Sequence, residues 1–241
     1  MAKSIDAYES KKRVQEYDAD MHMMHPNRPK MSTIALNFLP FNQDQKLNAL
    51  DLGIGTGFAT QKFLEKFPHA HVIGLDGAAS MIDLAKARLQ DHLSSIEFVV
   101  GDFKDLTQIV ITKASFDVIF SAFALHHLTI QEKEVVLKII HSLLKPGGWF
   151  INEDCLIGET PEVEHLFQKL RIEGILSRIS NTETRFHDFK TLRTWLDTME
   201  AKEQDNPIKI SEELEIMHKA GFKNIDILWK EYREMVLCGQ R

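Results

Sequence analysis

The chemistry-bearing residues gather first in Ala49-Leu50-Asp51-Leu52-Gly53-Ile54-Gly55-Thr56-Gly57-Phe58-Ala59-Thr60. An apolar run ends in a carboxylate and passes through Gly53, Gly55 and Gly57 before an amphipathic stretch begins. Glycines at alternate positions let backbone approach a ligand closely and permit positive φ. A dinucleotide fingerprint requires GxGxxG, whereas the spacing here is GxGxG and Phe58 stands where the third glycine would fall, which turns the reading away from NAD. About 20 residues on, Val72-Ile73-Gly74-Leu75-Asp76 places Asp76 at the end of a second apolar run. A carboxylate there can accept hydrogen bonds from both hydroxyls of a ribose, or cap the following helix. A third run ends in Gly101-Asp102-Phe103, which offers a carboxylate for an exocyclic amine and an aromatic wall for a base, unless Phe103 is core packing.

These residues need a frame that brings strand ends together. Between about residues 46 and 155, the runs Leu47 to Leu52, Val72 to Asp76, Ile96 to Val100, Phe116 to Ala122 and Trp149 to Asn152 alternate with helical patterns. That alternation predicts βα units feeding a parallel sheet. Ser80 before Asp83 and Thr129 before Glu132 have capping-box spacing, and Lys145-Pro146-Gly147-Gly148 should end the second of these helices in a turn. Residues 1 to 45 predict a charged helix over Glu9 to Asp20 and, beyond Pro26 and Pro29, a second helix carrying Ile34, Leu36, Phe38 and Leu39. Residues 156 to 210 have helical spacing, with Leu166, Phe167, Leu170, Ile175, Leu176 and Ile179 on one face. Ser211 should cap a last helix that Gly221 stops, before strands at Ile225 to Trp229 and Met235 to Cys238.

Taken in this order, Asp51 to Gly57, Gly74-Leu75-Asp76, Gly101-Asp102, Phe116-Asp117-Val118-Ile119, His126-His127-Leu128 and Leu144-Lys145-Pro146-Gly147-Gly148 form a series similar to the motifs of class I S-adenosylmethionine-dependent methyltransferases. More narrowly, it resembles the methyltransferase 11/12 group. The resemblance covers residues 46 to 155 well and the last thirty residues moderately. It implies an α/β, Rossmann-like doubly wound sheet of seven strands in the order 3-2-1-4-5-7-6, strand 7 antiparallel. Residues 1–45 would be a helical N-terminal lid on a methyltransferase domain over 46–241, with 156–210 a helical substrate cap. S-adenosyl-L-methionine would lie across the carboxyl ends of strands 1 to 4.

Carried onto this chain, the resemblance makes Asp51, Gly53, Gly55 and Gly57 the cradle of the methionine half and Asp76 the ribose ligand. Gly77 and Met81 would lie beside the adenine, Asp102 on its amine, Phe103 against its face. Ser121 and Ala122 would border the transferable methyl. Ser121-Ala122-Phe123-Ala124 lacks the Asn/Asp-Pro-Pro-aromatic series of enzymes that methylate nucleic-acid bases or protein glutamine. Tyr17, with Met21, Met23 and Met24, would wall the sulfonium or simply pack a core. His126 and His127 follow strand 4 on the rim. One of them can serve as the base for a hydroxyl or acidic carbon, or order the loop; as neighbours, at most one should face the pocket. Arg171, Arg178 and Arg185 suggest either an acidic substrate or, better, a solvated helix face.

Bulk properties narrow the partners. At 241 residues with 44% hydrophobic and 27% charged, the chain supports one elaborated domain. A net charge of −6 argues against a sequence-independent grip on nucleic acid or an anionic membrane. Two cysteines, Cys155 and Cys238, form neither a disulfide framework nor a zinc motif, and suit a reducing cytoplasm. His22 and His25 lack a third ligand nearby, so no metal is expected. No signal core or apolar run of ~20 residues addresses a membrane. The expected partner is a small methyl acceptor, and a homodimer stays open. The alternatives are the same fold using its cofactor otherwise, as in carboxy-S-adenosylmethionine synthesis, or a non-catalytic S-adenosylmethionine-binding scaffold.

Overall fold

A computed structural model describes residues 2–9, 11–109, 115–179 and 183–241. Seven strands, β1 (Asn48–Leu52), β2 (His71–Asp76), β3 (Ile96–Val100), β4 (Phe116–Ala122), β5 (Leu144–Cys155), β6 (Lys223–Glu231) and β7 (Glu234–Gln240), form one sheet in the order β3-β2-β1-β4-β5-β7-β6. β1 to β5 run parallel, and β7 lies antiparallel between β5 and β6. The expected topology is the one observed.

Both faces of the sheet are covered, because the apolar residues of each strand alternate between two cores. Ala49, Val118, Phe120, Val236 and Cys238 face one way, against α3 (Arg28–Phe38), α4 (Phe58–Lys66) and α5 (Ala79–Arg88). Leu50, Leu52, Ile119, Met235 and Leu237 face the other, against α7 (Ile130–Leu143) and α10 (Ile210–Ala220), with the single turn α6 (Leu106–Ile109) at its edge. A third, smaller core joins α8 (Pro161–Arg178) to α9 (Phe189–Glu203) through Ile172, Ile175, Phe186, Leu192 and Leu196. The N-terminal helices α1 (Ala2–Tyr8) and α2 (Lys11–Met24) bridge the two bodies, α1 against α9 and α2 against both α5 and α8. Positions 180–182 of the predicted cap lie outside the described residues. No helix among the described residues is long and apolar enough to cross a membrane.

Local signals held unevenly. Thr129 and Glu132 form the reciprocal capping box that starts α7, and Gly221, at φ +99°, ends α10. Two other predicted starts are corrected. Ser80 lies inside α5, whose N-cap is Ala78, because its hydroxyl donates instead to the Tyr8 carbonyl at 2.6 Å. Ser211 lies inside α10, capped by Lys209, and its hydroxyl donates to Glu159 at 2.7 Å. Pro146-Gly147-Gly148 is an irregularity within β5, which resumes its register from Leu144 at Trp149; a proline is tolerated where the ladder is already interrupted.

Across the second core, the Lys133 ammonium of α7 donates to Glu213 Oε1 of α10 at 2.8 Å, with both side chains almost wholly buried. Burial pushes the Glu213 carboxyl up from its ordinary range, against the pull of Lys133. Removing one partner strands the other's charge, so Lys133→Met should cost ~3–5 kcal/mol in urea unfolding. The double variant Lys133→Met, Glu213→Leu should recover much of that loss.

Candidate active site

The carboxyl ends of β1, β2 and β4 open onto a cavity, and their turns line it. β1 leaves the sheet at Gly53, whose amide and that of Ile54 both donate to the Leu75 carbonyl, at 2.8 and 3.0 Å. Gly53 adopts φ +78°, and a Cβ there would lie 2.4 Å from the Ala124 Cβ, so the turn needs both the freedom and the bareness of glycine. Asp76 closes the same turn: Oδ2 accepts from the Gly55 amide at 2.8 Å and Oδ1 from the Ala78 amide at 2.9 Å. It therefore caps the start of α5 while lining the cavity. Burial raises its carboxyl above the ordinary range, and the two amides oppose that rise.

Gly77, Met81, Asp102, Phe103, Ala122 and Tyr17 also line this cavity, and so does His127. Asp51, Gly57 and Ser121 do not. Asp51 is fully buried behind the turn, where Thr60 donates to it at 2.6 Å. Gly57, at φ +80°, begins α4 against Leu89. Ser121 donates to the Leu52 carbonyl at 2.7 Å and so ties β4 to β1.

A second cavity of about 370 Å³ adjoins the first and shares Tyr8, Tyr17 and Phe123 with it. Its remaining walls come from α2, α8, α9 and the β6–β7 hairpin, including Met21, Met24, Leu170 and Met199. Phe123 is held at φ +53°, an unusual conformation for a bulky residue, by its amide bond to the Glu153 carbonyl at 2.7 Å. Arg171 and Arg178 line this cavity rather than a solvated face; Arg171 pairs with Glu200. Arg185 instead binds Glu183 and Asp20, both at 2.8 Å.

The two histidines divide between the cavities. His126 lines the larger and His127 the smaller, their ring centroids 4.2 Å apart. Each cavity thus receives one of the two neighbouring rings, which a short helical turn at Leu125–His127 points in different directions. His126 Nδ1 lies 2.6 Å from Asp154 Oδ1. Burial disfavours the imidazolium, but the Cys155 and Asp154 side chains outweigh it and hold the His126 pKa well above the ordinary value. His127 Nε2 lies 3.2 Å from the Tyr8 hydroxyl, which donates to Glu203 at 2.9 Å. His25 pairs with Glu234 at 2.8 Å, while His22 is exposed.

Several site residues escape sequence reasoning. Tyr8 lies just before the stretch read as helical. Asp205 and Glu203 follow in a distant segment, placed because α9 ends with Gln204 in a left-handed conformation and the Asn206 amide donates to the His126 carbonyl at 2.7 Å. Arg28 lines the smaller cavity from α3, stacked 4.3 Å from the Phe58 ring centroid and 3.7 Å from Asp18. Its Nε is buried without a hydrogen-bond partner. The only sequence signal was its place beside Pro29 at a helix start.

With this geometry in view, residues 49–148 match the family model of a methyltransferase domain. Residues 49–148 carry a methyltransferase domain of the class I, S-adenosylmethionine-dependent kind. An uncharacterized methyltransferase of Anoxybacillus flavithermus is 29% identical over 138 residues, 57% of this chain and 61% of the relative. Another from Oceanobacillus iheyensis is 28% identical over 60% of this chain and 64% of its own length. A malonyl-[acyl-carrier protein] O-methyltransferase of Priestia megaterium is 28% identical over 90% of this chain and 72% of its own. The chain thus spans less than two thirds of the first two relatives. Among solved structures, human N-acetylserotonin methyltransferase in complex with S-adenosylmethionine covers 97% of this chain and 57% of its own, with TM-score 0.59 and 18% identity. Haemonchus contortus phosphoethanolamine N-methyltransferase 2, also with S-adenosylmethionine, covers 83% of this chain and 38% of its own at TM-score 0.59 and 20% identity. Both share the fold.

Two buried carboxyls behind the methyltransferase turn set a pH dependence. Burial raises Asp51 to about 7 and Glu153 to about 8, although Thr60 and Ser32 donate hydrogen bonds to them. The folded chain then keeps protons that the unfolded chain releases above the ordinary carboxylate range, so stability falls as pH rises toward 8. Glu153→Gln removes one of these protons from the balance. Its Tm should decline less than the wild type's between pH 5 and 8, and parallel curves would show Glu153 ionised throughout.

Proposed function

We propose that the chain transfers the methyl group of S-adenosylmethionine to a small acceptor held in the larger cavity. The observation that carries this reading is the pair of adjoining cavities, one framed by the Gly53–Asp76 turn and one mostly apolar, meeting at Tyr8, Tyr17 and Phe123. In the smaller cavity Asp76 retains acceptor capacity for the ribose hydroxyls beyond its two backbone bonds. Asp102 and Phe103 take the adenine, beside Gly77 and Met81. Asp51, Gly57 and Ser121 support the turn from behind instead of touching the nucleotide. Arg28 binds the α-carboxylate of the methionine half, a partner suited to its fork of donors. The tyrosine faces of Tyr8 and Tyr17 favour a sulfonium at the junction.

The sulfonium is a good leaving group, so the protein's main task is to hold the acceptor in line behind the methyl. Helices α1 to α3 act as the lid, and the 156–210 segment as the cap that shapes the acceptor cavity. His126 and His127 form the polar rim of that junction, one toward each ligand. The Priestia relative, named for O-methylation of a malonyl group on a carrier protein, supports an oxygen acceptor. The two cysteines, both unpaired, fit a reducing compartment such as the cytoplasm.

Calorimetry separates these assignments. Arg28→Ala should weaken S-adenosylhomocysteine about 10- to 100-fold, the worth of a charge-assisted hydrogen bond, yet leave 5′-methylthioadenosine, which has no α-carboxylate, unchanged. Asp76→Ala should weaken both ligands. Equal loss of the two ligands in the Arg28 variant would remove Arg28 from the carboxylate subsite, and failure of the wild type to bind either would overturn the cofactor reading. His126→Ala should keep nucleotide affinity and lose turnover, measured with acceptors screened by release of S-adenosylhomocysteine.

A further inference from the structure

At the wall between the two cavities, His126, His127 and Asp205 bring three ligand atoms within 4.8 Å of one another. His127 Nδ1 lies 3.0 Å from Asp205 Oδ1, and His126 Nε2 lies 3.7 Å from the same oxygen. The side chains are only 9%, 11% and 17% exposed, for His126, His127 and Asp205. Despite their closeness, His127 Nδ1 and Asp205 Oδ1 form no well-aligned hydrogen bond, and both atoms are buried without another partner. Buried polar atoms left in this way call for a partner, which one shared ion would supply to both.

We propose that His126 Nε2, His127 Nδ1 and Asp205 Oδ1 bind a divalent transition-metal ion of the zinc type. Ligand atoms at about 2.0–2.2 Å from one ion lie roughly 3–4 Å apart, the range of both separations to Asp205 Oδ1, and the three atoms all lie within 4.8 Å of one another. Two imidazoles and a carboxylate suit zinc, cobalt or iron and disfavour magnesium, which takes oxygen ligands. The remaining nitrogens are already occupied as outer-shell bonds require: His126 Nδ1 faces Asp154 at 2.6 Å, and His127 Nε2 faces the Tyr8 hydroxyl at 3.2 Å. Each contact leaves the other ring nitrogen for the metal, which at His126 binds in exchange for a proton. Asp154 is itself held by the Cys155 amide at 2.8 Å. Sequence spacing points to a metal neither at the cysteines nor at His22 and His25, and it does not reveal this set because Asp205 lies 78 and 79 positions from the two histidines.

His126 and Asp205 line the acceptor cavity, so the ion's open position faces the acceptor. An oxygen acceptor bound there is favoured as its anion, its proton passing to solvent. That oxygen then forms the new C–O bond as the S–CH₃ bond of S-adenosylmethionine breaks and S-adenosylhomocysteine leaves as a neutral thioether. This catalytic role rests on the methyl-transfer reading; the metal site does not.

The test uses the whole chain, stripped with a chelator, dialysed and titrated with Co²⁺ in the absence of nucleotide. One equivalent should bind with the visible absorption of a four- or five-coordinate ion, and Zn²⁺ should displace it. Asp205→Asn and His127→Gln should each abolish that absorption, Asp154→Asn should weaken binding about 10- to 100-fold, and His22→Ala should bind as the wild type does. Circular dichroism of the metal-free proteins identifies a variant that has not folded, in which case the other ligand variant decides. Absence of the Co²⁺ spectrum in the wild type, or its persistence in a folded ligand variant, would overturn the site. S-adenosylhomocysteine calorimetry on the stripped protein reports separately on the cofactor reading.

Discussion

The close approach of two backbone segments at the carboxyl edge of the sheet controls the rest of the site. β1 and β4 lie side by side, and the residues that follow them meet where Gly53 faces Ala124. Any side chain at Gly53 would push these segments apart. Because they stay close, the β1 turn can reach back to Leu75, Asp76 can bind the Gly55 amide, and β4 can hand on to Phe123 and the two histidines within a few residues. One steric condition therefore sets both the shape of the smaller cavity and its distance from the larger one.

The wall between the cavities is built of charged and aromatic groups from remote parts of the chain. Arg13 joins Asp20 at 3.0 Å and Glu203 at 2.7 Å, and the Tyr8 hydroxyl shares Glu203. These bonds fasten the N-terminal helices to the end of α9 over the mouth of the methyltransferase turn. Such buried contacts contribute less to net stability than to geometry, since desolvation offsets much of their attraction. Their effect is to hold Tyr8, His127 and Asp205 in one arrangement where the two cavities adjoin.

Legibility followed the range of the forces involved. Strands were readable because alternation between two cores leaves a local pattern, as in Val118-Ile119-Phe120 and Met235-Val236-Leu237-Cys238. Caps were less so: Thr129 matched its motif, whereas Ser80 and Ser211 found stronger partners in Tyr8 and Glu159, far away in sequence. Asp51 and Ser121 carry the right motif positions but turn inward, and only the packing shows that they brace the turn.

The sequence by itself determined the strands, the glycine turn and the carboxylate at the end of β2, since each depends on periodicity or on backbone conformations that few residues can adopt, while the sheet order followed from the family resemblance that those motifs carry. Tertiary structure alone decided that Arg28 lines the smaller cavity, which cavity each of His126 and His127 meets, and that Asp205 lies beside them. Those outcomes depend on contacts between segments separated by many tens of residues, where the free energy of docking whole helices outweighs any local preference and leaves no mark in the spacing of neighbouring residues.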